Sequence, residues 1–185
     1  CTMHSRRLLL ALLLVSGCAS ASISGTAPLP LPAADLALLD SVERRTFDFF
    51  WERSDARTGL TPDRWPTPSF SSIAAVGFAL TAYPVGVERG CVTRAQAAER
   101  ARVPLAFFLH APQGPSPSGT AGYKGFYYHF LDMTSGTRFA TVELSTIDTA
   151  LLLGGVLFCQ SYYDRDTPDE VAIRAVADSI YRRVE

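Results

Sequence analysis

Cysteine is scarce in this chain, four among 185 residues, and Cys1 and Cys18 fall in an N-terminal stretch that reads as a leader. Only Cys91 and Cys159 remain for the body of the protein. Two cysteines cannot build a disulfide framework, and no Cys/His spacing of the zinc-binding kind occurs, so no metal is expected. One Cys91 to Cys159 bridge is allowed in an oxidising compartment, and two buried thiols are equally consistent with the sequence. Basic runs are missing too. With Arg6 and Arg7 set aside as part of the leader, the 17 Lys and Arg fall to 15 against 18 Asp and Glu, a net charge near −3. No cluster would track a phosphate backbone, which excludes nucleic acid as a partner. No Gly-x-Ser-x-Gly elbow surrounds any serine, so neither Ser145 as a nucleophile nor His129 as a lone base is expected. No apolar run approaches the roughly 20 residues that cross a bilayer as a helix.

The N-terminus carries a positional signal. Arg6 and Arg7 precede the apolar run Leu8 to Val15, the length of a signal h-region. Val15-Ser16-Gly17-Cys18 resembles a bacterial lipobox, in which the cysteine is lipidated and becomes the first residue of the mature chain. The expected organisation is a lipoprotein signal peptide at 1–17, a Pro-rich tether of small residues at 18–34, and a folded domain over 35–185. An ordinary cleaved signal with a chance cysteine is the alternative. By resemblance to lipoprotein sorting signals, Ala19 is not the aspartate that favours inner-membrane retention. The expected location is the periplasm or cell surface, anchored to the outer membrane. Met3 is the expected initiator.

The folded part reads as helices with one ribbon. Asp35 can cap a first helix to Glu52, with Leu38, Leu39, Val42, Phe49 and Phe50 on its apolar face. A second helix spans Ser72 to Tyr83, where Pro84 stops or kinks it. Thr93 with Gln96 makes a capping box for a third, Arg94 to His110, bent at Pro104. The Pro, Gly and Ser of 111–122 make a loop. It leads into a β-ribbon of Phe126 to Leu131 with Arg138 to Leu144. Ser145 caps a fourth helix, Thr146 to Tyr163. Thr167-Pro168-Asp169-Glu170 opens a fifth, with cap, N1 proline and capping-box glutamate. The fourth is apolar on nearly all sides, so it is expected to be surrounded by other helices. An inner apolar set and an outer amphipathic set of helices satisfy these patterns, an all-α fold with one ribbon.

Two carboxylates stand where the ribbon hands over to the fourth helix. Glu143, beside an apolar ribbon and helix, is placed for a raised pKa, while Asp148 one turn into a helix tends to stay ionised. Glycoside hydrolysis needs such a pair, one protonated acid and one carboxylate. Each has a purely structural reading as well: Asp148 is the N3 residue of a capping box on Ser145, and Glu143 a solvated strand-end glutamate. Around them Tyr127, Tyr128 and His129 can stack on sugar rings, and Arg138 can bind hydroxyls. Alternation allows only one of the sets Tyr127/His129 and Tyr128/Phe130 to face a cleft. Asp63, Arg64 and Trp65, in a Pro-flanked loop, suit a glucose subsite or equally a turn salt bridge under a packed tryptophan.

Four blocks in order, Gly59-Leu60-Thr61-Pro62-Asp63-Arg64, Ser69 to Phe78, Tyr123 to Leu131 and Glu143 to Ala150, together resemble the glucoamylase-like family. That family includes bacterial endo-β-1,2-glucanases and domains attached to cyclic β-1,2-glucan synthases. The resemblance covers 36–185 and implies an (α/α)6 barrel, of which the five helices would be an N-terminal, incomplete part. It further implies acid-assisted hydrolysis of a β-linked glucan without a cofactor, expected to be inverting. The expected site is catalytic Glu143 and Asp148 with substrate contacts from Asp63, Arg64, Trp65, Tyr127, His129 and Arg138. A second carboxylate is expected beyond residue 185, and the chain alone is expected to be inactive. The sequence departs from the family pattern at Cys91, where an aromatic is common, and at Phe139-Ala140-Thr141, where bulkier or polar residues often precede the glutamate. The alternative function is a non-catalytic, lipid-anchored glucan-binding or envelope-organising protein.

Overall fold

The computed structural model describes residues 31–184. The leader, Cys18 and Ala19 lie outside the described residues. A compact unit begins at Ala33. Its helices are α1 (Ala33–Arg53), α2 (Ile73–Glu88), α3 (Arg94–His110), α4 (Thr146–Tyr162) and α5 (Pro168–Tyr181). α2 packs on α4 and α3 on α5; the pairs meet through α2 with α3 and α4 with α5, and α1 lies against α2. The expected predominantly helical architecture is therefore present.

Capping residues set most of the helix starts. Thr93 accepts from the Gln96 amide and Gln96 reaches back to the Thr93 amide, the full reciprocal box. Ser145 and Thr167 cap α4 and α5. At α5 only half of the expected box forms. The Glu170 side chain turns away from its cap and grips Arg94 on α3 at 2.8 Å through both carboxylate oxygens. The same guanidinium reaches the Tyr162 carbonyl at 2.7 Å and lies 4.5 Å over the Tyr162 ring. A bidentate charged pair with nearby backbone acceptors outcompetes one capping bond.

α2 and α4 cross at glycines. A Cβ on Gly155 would stand 2.2 Å from the Gly77 carbonyl oxygen, and one on Gly77 would stand 2.3 Å from that of Leu151. Only bare backbone permits this approach. The core beside the seam is formed by Leu80, Tyr83, Leu105, Phe108, Leu152, Val156, Ile173 and Ile180. Each such aliphatic burial contributes about 1.5–3 kcal/mol.

Four expectations are corrected. α1 starts at Ala33, so Asp35 lies in its first turn rather than at its cap. Its Leu38, Leu39 and Val42 are exposed, and Phe47 is the buried residue of that helix. α2 runs through Pro84 to Glu88. α4 is covered on one face only, with Ile147, Leu151 and Phe158 exposed among the described residues.

The single ribbon is replaced by two small sheets. β1 (Ser71–Ser72) pairs with β4 (Phe130–Leu131), while β3 (Phe126–Tyr128) lies between β2 (Gly122–Tyr123) and β5 (Leu144–Ser145). All pairings are antiparallel. The segment 126–131 divides at His129 because its two halves have different partners: Tyr127 faces Ser145, and Phe130 faces Ser72. Arg138 keeps one bridge, to Leu131. Among the described residues no helix is long and apolar enough to cross a membrane.

Candidate functional site

The division at His129 places its imidazole at the mouth of α4. Its backbone amide donates to the Glu143 carbonyl at 3.0 Å, and its carbonyl accepts from the Ile73 amide at 3.3 Å, so both sheets hold it. One ring nitrogen, Nδ1, lies 2.8 Å from Glu143 Oε1, and the other, Nε2, lies 3.7 Å from Asp148 Oδ2. The Ser145 hydroxyl donates to Asp148 Oδ2 at 2.5 Å while its oxygen accepts from the Asp148 amide at 3.2 Å. Asp148 therefore serves the helix start and faces His129 at once. Because the carboxylates address opposite nitrogens, the three side chains do not converge on one point. No group of three His, Cys, Asp or Glu suited to a metal ion occurs among the described residues.

The electrostatics reverse one expectation. Glu143 is not shielded by the apolar ribbon and helix; its side chain is 65 % exposed, against 31 % for His129 and 13 % for Asp148. Its own backbone amide and then the His129 imidazole hold its carboxyl below the usual glutamate range. Glu143 precedes β5, and its apolar neighbours Val142 and Leu144 do not enclose it, Leu144 being itself exposed. Glu143 is consequently ionised at neutral pH.

The surrounding residues fall into three groups. Tyr127 belongs to the core: it is 1 % exposed, its hydroxyl donates to the Phe108 carbonyl at 2.9 Å, and burial pushes its pKa up to about 12. It cannot contact a sugar, because the turn at His129 sends the tyrosine inward and the histidine outward. Arg138 is likewise structural. Its Nε donates to the Val142 carbonyl at 2.7 Å and its guanidinium lies 4.5 Å over the buried Tyr128 ring, which closes the 138–142 turn. Asp63 pairs with Arg64 at 3.2 Å, and Arg53 lies 4.2 Å over the exposed Trp65 ring, so the loop carries both a turn salt bridge and an aromatic platform.

A third group brings in Phe70 and Phe139, which were not assigned from the sequence. Phe130 stacks on His129 at 3.8 Å and on Phe70 at 4.0 Å, and Phe139 lies 4.8 Å from Phe70. Arg64 stands 5.5 Å over Phe70. Phe70 and Phe139 border a groove of about 500 Å³ that Arg64 and Asp132 also line. Phe70 sits in the serine-rich block that carries the family resemblance, and Phe139 is where the sequence departs from it. Neither signal specifies a ring-to-ring contact across 69 residues of chain.

No protein-family model matches the chain. Among curated proteins it is 27% identical over 160 residues to an exo β-1,2-glucooligosaccharide sophorohydrolase (non-reducing end) of Parabacteroides distasonis, covering 83% of this chain and 21% of that protein. Among solved structures, a glucoamylase-like protein from Bacteroides uniformis superposes with a TM-score of 0.72 at 27% identity, over 84% of this chain and 37% of that one. The glucoamylase-like resemblance holds. A β-1,2-glucanase from Parabacteroides distasonis gives a TM-score of 0.71 at 26% identity, over 84% of this chain and 22% of that one. The chain thus spans about a fifth of the length of the curated relative, and its helices correspond to part of an (α/α) barrel.

Proposed function

We propose that the protein carrying this chain is a glycoside hydrolase acting on a β-glucan, and that the glucan is β-1,2-linked. The observation that carries the reading is the array Glu143–His129–Asp148 at the mouth of α4, in a chain similar to a sophorohydrolase and a β-1,2-glucanase. The mechanism proposed is the inverting displacement that the family resemblance implies. Water attacks the anomeric carbon as the glycosidic C–O bond breaks, a carboxylate takes the water proton, and an acid protonates the leaving oxygen. Ionised Glu143 suits the accepting role rather than the donating one first expected of it.

Reducing ends released from linear β-1,2-glucan, with laminarin and starch oligomers in parallel, test the reading. Release from the β-1,2-linked polymer alone is the expected result. The exposed, ionised state of Glu143 favours one other reading, a glucan-binding protein without catalysis. Binding of β-1,2-glucan with no new reducing ends from any of the three would establish that reading instead.

Arg6, Arg7, the run Leu8 to Val15 and the order Val15-Ser16-Gly17-Cys18 support a lipid anchor at Cys18, and with Ala19 an outer-membrane location facing the periplasm or cell exterior. Cells fed labelled fatty acid should label the protein and fail to label Cys18→Ser. Equal labelling of both would remove this anchor site.

A further inference from the structure

The geometry points to a glucose-binding subsite in the groove between the 64–72 segment and the 132–139 turn, one step along the glucan from His129; its place on the glucan rests on the reading above. The groove's volume of about 500 Å³ lies within the ~300–1,000 Å³ typical of small-molecule sites. Its aromatic surface comes from Phe70 and Phe139, whose rings meet at 43° and leave Phe139 exposed. A β-linked glucose ring presents C–H groups on its faces and hydroxyls around its edge, so aromatic rings below and polar groups at the rim match it. Arg64 and Asp132 supply that rim with opposite charges from the two facing loops. The Ser135 amide, above other causes, holds the Asp132 carboxyl below its usual range, which keeps an acceptor opposite the guanidinium donors.

The groove also continues the site already described. Phe130 lies between His129 and Phe70, in ring contact with both, so aromatic surface runs without a break from the imidazole to the groove. Ala140, a non-glycine residue at φ 47°, follows Phe139 in the turn that sets its ring against Phe70. Left-handed backbone at alanine is unfavourable and persists where surrounding structure holds it.

The test compares the full-length enzyme with Phe139→Ala and Phe139→Trp on β-1,2-glucooligosaccharides of increasing length. For Phe139→Ala, kcat/KM should fall about 10-fold, equivalent to ~1.4 kcal/mol, on substrates long enough to enter the groove. The shortest hydrolysed substrate should change less than about twofold, and Phe139→Trp should restore the long-substrate rate. Arg64→Ala should produce the same length dependence without relying on position 139. An equal effect at every length, or none, overturns the subsite. If the wild type hydrolyses no β-1,2-glucan, the hydrolase reading fails separately and calorimetric titration with the longest oligosaccharide decides the subsite. About tenfold weaker binding by Phe139→Ala then supports it; equal binding, or no binding by the wild type, overturns it.

Discussion

Glu143 and Glu170 each meet a nitrogen base at 2.8 Å, and in each the carboxyl is held below its usual range. Their surroundings separate them. Glu170 is 4 % exposed, pairs through both oxygens with Arg94, and also accepts from the Arg165 amide at 2.8 Å. Every contact it makes ties α5 to α3 or to the loop before it. Glu143 uses one oxygen on His129 and presents the rest of its carboxylate to solvent. Enclosure makes the first pair a structural clamp, because removing one partner strands the other charge away from water. Exposure leaves the second with little influence on folding and with acceptor capacity for a ligand. The same residue type with the same direction of pKa shift thus takes two roles, separated by access to water.

The largest expected effect breaks the clamp. Glu170→Ala leaves Arg94, among the described residues, with only the exposed Asp164 as its ionic partner, and thermal unfolding should report a loss of about 3 kcal/mol, a melting temperature roughly 10 °C lower. A change under about 1 °C would mean that the clamp is no more stabilising than a surface pair. The next effect is on activity. Glu143→Gln keeps size and shape but accepts no proton, so turnover of β-1,2-glucan should fall at least about 100-fold with the melting temperature unchanged. Near wild-type turnover would reduce Glu143 to a surface partner of His129.

The smallest effect is on acid stability. Because Arg94 depresses the folded-state pKa of Glu170, the stabilisation is complete above the ordinary glutamate value of about 4.3 and is lost as pH falls through the depressed one. The stability difference between wild type and Glu170→Gln should be flat from about pH 5 to pH 8 and close below about pH 4. A difference that grows on acidification would show that the pair is not what lowers the Glu170 pKa.

Much of the helical framework was legible because its signals are local. Thr93 with Gln96, Ser145, and Thr167 with Pro168 satisfy amides within four residues of themselves, and each starts a helix at the expected place. Pro84 misled because a proline removes one bond without ending a helix whose faces are buried. The apolar residues of α1 and α4 misled differently: period marks which residues share a face, and the number of covered faces depends on neighbours. At the site, Glu143, Asp148 and His129 could be singled out by type and spacing. Their assembly on the two nitrogens of one ring could not, since it needs β3 and β4 to part at His129.

By itself the sequence determined the starts of α3, α4 and α5, their N-caps and a block pattern that resembles the glucoamylase-like family, all carried by interactions within a few residues or by ordered motifs. Tertiary structure alone decided that Tyr127 is core, that Arg138 closes a turn, that Glu143 is exposed and ionised, and that Phe70 meets Phe139. Those outcomes turn on burial and on contacts between distant segments, which exist only once the chain has packed.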